Sequence, residues 1–235
     1  DSAWIDWQAY TLLQTNATHD TITYWLTDSL AIAQDSIYLE MTYLMSDSLY
    51  NLVPQTDTVL AVYRRPRMSE KAWEAQQRKK RERKLEIKSN ASSKFEIYDT
   101  IRLYSPFPVD SVCVDKIRLA HRVDTAFQSM TFQLLPHDSL RQTLLLIAAL
   151  EPAESYQLIV DSAAMVDIYG ICNDSTAYTL KLKSLEDYSS LLIKMAHYDA
   201  RARIQVLNDK DEVVRELPAL EEGTKFEYLT PTTYY

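Results

Sequence analysis

The stretch Thr143-Leu-Leu-Leu-Ile-Ala-Ala-Leu-Glu-Pro-Ala-Glu-Ser-Tyr-Gln-Leu-Ile-Val-Asp-Ser162 decides the fold. Thr143–Ala149 is a short apolar run that stops at a turn holding Pro152. Tyr156 opens a second run, which closes on Asp161-Ser162. Apolar runs of this length between turn signals read as strands rather than helices. The closing Asp-Ser pair recurs along the chain. Asp is followed by Ser or Thr twelve times, at Asp1, Asp20, Asp28, Asp35, Asp47, Asp57, Asp99, Asp110, Asp124, Asp138, Asp161 and Asp174. The next residue is always Ala, Ile, Leu, Val or Thr. Both side chains can bond nearby backbone groups and compete with regular structure, so the pair marks where strands start and stop.

Between these marks lie further strand-like runs. Thr21–Leu26, Ser36–Leu44 and Thr58–Tyr63 form a first group. Lys94–Tyr104, Lys116–Val123, Met130–Leu135, Thr143–Ala149, Tyr156–Ser162 and Tyr178–Lys183 form a second. Leu191–Met195 and Ala202–Leu207, the polar turn Asn208–Glu212, and Phe226–Leu229 form a third. One segment breaks the pattern. Ser69 can cap a helix with Glu70 in its first turn, and Glu70–Lys84 has neither Gly nor Pro. Its apolar side is thin (Ala72, Trp73, Ala75, Leu85), as in a solvated helix or linker. The spacing predicts an all-β chain of tandem Ig-like antiparallel β-sandwiches with a short helical linker. The expected units are an Ig-like sandwich over 1–66 that could be truncated, a basic helical linker over 67–85, an Ig-like sandwich over 86–184 and a partial β module over 185–235. A first residue Asp1 and an end at Tyr235 within a strand-like pattern suggest a piece of a longer chain.

Composition narrows the function classes. Two glycines in 235 residues exclude glycine-rich phosphate loops. Sixteen Tyr against five Phe suit strands with one wet face. Arg64–Lys88 carries a local +7, which leaves −15 for the remainder of a chain at −8. An acidic body disfavours nucleic acid as a partner. The basic run Arg78–Lys84 lacks interleaved aromatics for base stacking and reads as a solvated linker between acidic neighbours. No apolar stretch approaches the roughly 18 residues of a membrane span, and no signal peptide is visible.

Candidate chemistry is sparse, and neither enzyme activity nor a cofactor is expected. His19, His121, His137 and His197 share no motif, and nothing local pairs a base with a nucleophile. The carboxylates show no facing dyad that sequence can define. Asn208–Glu212 clusters oxygen ligands but lacks the Gly and distant Glu of a calcium loop, so no metal site is expected there. Cys113 and Cys172 stand alone and do not make a zinc site. In Ig strand order both lie in loops at one pole. A disulfide between them is geometrically conceivable, and two unpaired thiols are the alternative. Tyr156, opening a strand after a Pro-containing turn, can bury its ring and return its hydroxyl to the turn, as in a tyrosine corner. Trp4, Trp7, Trp25 and Trp73 could build a sugar-stacking platform, although strand aromatics more often pack in a core.

Residues 86–184 resemble the bacterial Ig-like domain family of the Big-5 type, through Thr100–Asp110, Leu150–Tyr156 and Val166–Gly170. The wider chain resembles multi-domain Ig-like envelope lipoproteins of anaerobic Gram-negative bacteria, through Thr23–Asp28, Asn51–Asp57 and Lys183–Tyr188. Val206–Val214 and Phe226–Pro231 are similar to prealbumin-like or Cna-B-like modules, with Thr232 where those carry Gly. The resemblance implies a non-catalytic, extracytoplasmic scaffold of the cell envelope, in the periplasm or on the outer-membrane surface. Its partner would be a protein or glycan there, and a lipid anchor could lie upstream. A glycan-binding or adhesive surface module is the alternative. The Asp-Ser/Thr triplets resemble the O-glycosylation acceptor motif of such bacteria, with Thr21, Ser48 and Ser139 as candidate acceptors.

Overall fold

The computed structural model describes residues 10–16, 18–63, 67–124 and 126–235. Trp4 and Trp7 lie outside the described residues. Contacts divide the chain into two compact units: Asp1–Lys84 with Ile168–Ile171, and Leu85–Asp167 with Cys172–Tyr235. The chain is predominantly β, with several antiparallel sheets.

In the first unit, β1 (Thr11–Thr15) pairs with β2 (Ile22–Leu26), and the short helix α1 (Ser29–Ile32) follows. Asp28 caps α1 by accepting from the Ala31 N–H at 3.2 Å. β3 (Ser36–Ser46) and β4 (Leu52–Val62) form a hairpin of eleven-residue strands in one unbroken register. Its turn is closed by Asp47, whose Oδ1 accepts from the N–H groups of Leu49 and Asn51 at 2.8 and 2.9 Å. Helix α2 (Glu70–Arg81) starts where Ser69 Oγ accepts from the Ala72 N–H at 3.3 Å. The described residues of 1–66, expected as an Ig-like sandwich that could be truncated, hold the hairpins β1–β2 and β3–β4. Ala31 is the only described apolar side chain of residues 10–84 that is fully buried. A two-stranded ribbon leaves both faces accessible, so alternation along β3 and β4 separates two faces without burying either.

The second unit contains two four-stranded sheets. One runs β10 (Gln133–Pro136), β11 (Thr143–Ile147), β6 (Ile101–Tyr104), β5 (Lys88–Ser89). The other runs β14 (Thr176–Lys181), β12 (Ser155–Val160), β8 (Ile117–Val123), β9 (Ala126–Met130). Lettered along the chain, these are the A-B-E-D and G-F-C-C′ orders of an Ig-type sandwich. Register places the core residues on matching faces. Leu144 lies opposite Leu103, Leu146 opposite Ile101, Leu158 opposite Leu119 and Val160 opposite Ile117. All eight are at most 3 % exposed.

Two expected strands differ from the structure. Met130–Leu135 is two strands, because the chain leaves one sheet at Met130 and joins the other at Gln133. Within Lys94–Tyr104 only Ile101–Tyr104 belongs to a named strand. Phe95 instead makes a parallel bridge to Leu182 on the opposite sheet. The Asn90 side chain spans the gap, donating to Thr100 C=O at 3.0 Å and accepting from Arg102 N–H at 2.8 Å. Of the Asp-Ser/Thr pairs, Asp57-Thr58 and Asp110-Ser111 lie inside strands rather than at their ends.

The C-terminal module pairs β15 (Ser189–Ile193) with β18 (Thr224–Leu229), and β16 (Arg203–Leu207) with β17 (Val213–Pro218). Val206, Phe226 and Leu229 form its core, with Ile193, Ile204 and Tyr234 packed against them. The Asn208–Glu212 turn is held by Asn208 Oδ1, which accepts from the N–H groups of Lys210 and Glu212 at 2.9 Å each. Among the described residues no helix is long and apolar enough to cross a membrane.

A candidate functional site at the joint between sandwich and C-terminal module

The chain leaves the sandwich at β14 and enters the C-terminal module at β15 through Leu182–Tyr188. The turn is built locally. Ser184 Oγ accepts from the Glu186 N–H at 3.3 Å, and Asp187 Oδ2 accepts from the Ser184 N–H at 2.8 Å. This reciprocal cap closes a single 3-10 turn and orients Tyr188. The Tyr188 hydroxyl donates to Glu96 Oε2 at 2.5 Å and accepts from the Ile97 N–H at 3.2 Å. The other oxygen of Glu96 takes an ion pair from Lys183. Both charged side chains are largely shielded, at 19 % and 27 % exposure, so this pair is screened less than a surface one.

Aromatic contacts extend the joint on both sides. Tyr188 is tilted at 58° to Tyr98, with centroids 6.3 Å apart, and meets Tyr228 of β18 edge-on at 5.9 Å and 83°. The Arg215 guanidinium of β17 lies 4.1 Å from the Tyr98 ring centroid. Tyr98 belongs to the sandwich, and Tyr228 and Arg215 belong to the module. Tilted and edge-on rings are favoured packing geometries and do not offer the parallel faces of a sugar platform. Trp25 and Trp73 are half-buried, and Trp25 Nε1 donates to Gln14 at 2.9 Å. A groove of about 460 Å³ beside the joint is lined by Lys94, Lys181, Lys183, Asp187 and neighbours.

Burial, together with the hydrogen bond to Glu96, pushes the Tyr188 phenol up to about 12, against an opposing contribution from the Ile97 N–H. Folded Tyr188 therefore holds its proton more tightly than unfolded Tyr188. The associated stability is complete below about pH 10 and is lost as pH rises towards 12. Urea midpoints measured from pH 8 to pH 12 should fall, and the fall should be shallower in Tyr188→Phe. Equal slopes in both proteins would show that Tyr188 carries no part of it.

The residues singled out from sequence do not converge. Tyr156 is 1 % exposed, and its hydroxyl accepts from the Glu151 N–H at 2.7 Å, which is tyrosine-corner geometry. His121 stacks on Tyr156 at 4.9 Å and contacts Glu154 at 3.0 Å. Cys113 and Cys172 are both free thiols, and no bridge joins them. β7 (Val109–Val112) pairs with β13 (Met165–Asp167), and Cys172 bridges to Val166 of β13. β13 thus runs between the two thiols. Two strand spacings of about 4.8 Å exceed the roughly 7 Å Cα separation a disulfide allows. Thr21, Ser48 and Ser139 are all exposed. Among the described residues no group of three His, Cys, Asp or Glu is placed to hold a metal. Sequence reasoning missed Glu96 and Tyr188, which are 92 residues apart. The Ser184-x-x-Asp187 cap was a readable signal for the turn but not for what Tyr188 meets.

No protein-family model matches the chain, and no curated protein matches it. Among solved structures, the N-terminal part of the bacterial S-layer protein SbsC is similar with a TM-score of 0.38 and 9 % identity. That match covers 61 % of this chain and 35 % of the other, so it spans about a third of that protein's chain. A likeness of this size does not bear on what the chain does.

Proposed function

We propose that this chain is a non-catalytic, extracytoplasmic scaffold of the bacterial cell envelope. It would be of the kind its Big-5-like and lipoprotein-like segments resemble, holding β modules at a set spacing and angle. The observation that carries the reading is the joint. Tyr188 and Lys183 converge on Glu96, and Arg215 and Tyr228 close over the same aromatic cluster. A flexible linker would need none of these contacts, whereas a spacer needs its hinge locked.

The test is a nitroxide pair on exposed Cys113 and on Lys210→Cys at the tip of the β16–β17 turn, in a Cys172→Ser background. A narrow distance distribution is expected, and Glu96→Ala with Tyr188→Ala should broaden it. A broad distribution in the parent protein would sink the scaffold reading. Exposed Thr21, Ser48 and Ser139 support its envelope setting as candidate O-glycan acceptors. Protein purified from the native host is expected to exceed its polypeptide mass, and a bare polypeptide mass would remove the glycan proposal.

A further inference from the structure

The β3–β4 hairpin is long, apolar and unpaired at its edges. Tyr38, Leu44 and Leu52 are 65 %, 63 % and 65 % exposed, and Tyr43, Met45, Val53, Val59 and Leu60 are also exposed. Among the described residues no further strand pairs with either β3 or β4. An isolated two-stranded ribbon is at best marginally stable in water, and a long apolar edge is a template for another strand.

The two edges are not equivalent. Tyr63 N–H donates to Asp35 C=O at 2.8 Å, and Asp47 N–H donates to Asn51 C=O at 2.9 Å. These pairs bracket a register with no bulge. Antiparallel ladders alternate, so odd-numbered residues bond across the hairpin, and even-numbered residues turn their N–H and C=O groups outward. Pro54 is even-numbered and removes a donor from the outer edge of β4. The outer edge of β3 has no such defect. It offers the backbone groups of Ser36, Tyr38, Glu40, Thr42, Leu44 and Ser46.

We propose that this edge pairs antiparallel with β3 of a second copy of the chain, about a two-fold axis at Met41, to give the strand order β4-β3-β3′-β4′. The occupant follows from self-complementarity. In the full-length register Tyr38 faces Leu44, Leu39 faces Tyr43, Ile37 faces Met45 and Met41 faces itself. Aromatic and aliphatic side chains therefore meet across the seam. Glu40, the only charged residue of β3, faces Thr42. Moving the axis to Glu40 would set two carboxylates directly opposite, and moving it to Thr42 would set Glu40 against Leu44. Both are worse, so the register that pairs all eleven residues is also the one without a charge conflict. An interface built this way is isologous and closes at two copies.

Sedimentation analysis of the full chain should give a species of twice the 27.2-kDa chain mass at micromolar concentration. Thr42→Glu places glutamates opposite each other twice across the seam while changing only an exposed residue of the hairpin. It should weaken the dimer about ten-fold or more. Adding Glu40→Lys to Thr42→Glu sets Lys against Glu at the same two places and should restore dimerisation. A wild-type monomer at 100 μM would overturn the proposal. So would a Thr42→Glu dimer as tight as wild type, or a double variant that fails to recover.

Discussion

Asn173→Ala is expected to lower the unfolding free energy by about 3 kcal/mol, because it strips partners from three backbone groups at once. Asn173 is 1 % exposed. Its Oδ1 accepts from the Met165 N–H at 2.8 Å, and its Nδ2 donates to the carbonyls of Asp161 and Asp174 at 2.9 and 2.8 Å. Its own backbone also pairs with Ala163 and Met165, at 2.9 and 3.2 Å. One side chain thus ties together the segment that connects β12 to β14, bonding Asp161, Met165 and Asp174. A buried group left unpaired costs about 1–3 kcal/mol, and partial access of water keeps the sum near the lower end. Urea unfolding should show a lower midpoint with an unchanged slope. A loss under about 1 kcal/mol would mean that water replaces the amide and that Asn173 is not the clasp of this connection.

Phe226→Ala is expected to cost about 3–4 kcal/mol, and the damage should stay within the C-terminal module. Phe226 is 1 % exposed, and only Val206 and Leu229 share its fully buried core. Phe226 is the largest fully buried side chain of this cluster, so truncating it leaves a cavity lined by Val206, Leu229 and the residues packed on them. Hydrogen exchange should lose protection across β15–β18 while β6, β8, β11 and β12 stay protected, since Ile101, Leu119, Leu146 and Leu158 form a separate core. Uniform loss across both regions would show that the joint couples them into one cooperative block.

Much of the strand content was legible because strand chemistry is local. The alternation in Tyr156–Val160 and Ile117–Leu119 marks which residues face inward before any partner is known, and the structure buries that same set. The turn chemistry of Asp47 and Asp138 was equally plain. Asp138 accepts from the N–H groups of Leu140, Gln142 and Thr143 at 3.0, 2.9 and 2.7 Å. Legibility failed where one pattern served two outcomes. Ser36–Leu44 alternates like a core strand, yet β3 lies in a two-stranded ribbon with exposed apolar residues on both faces. Lys94–Tyr104 reads as one strand, but Phe95 and Ile101 pair with different sheets.

By itself the sequence determined that this is an all-β protein and marked many of its turns, those at Asp47 and Asp138 among them. Those properties rest on interactions spanning a few residues, so composition and spacing carry them. Only the tertiary structure decided which strands are neighbours, that β13 separates Cys113 from Cys172, and that Glu96 meets Tyr188 across 92 residues. Pairing of that kind depends on which distant surfaces bury each other, and no local pattern encodes the identity of the partner.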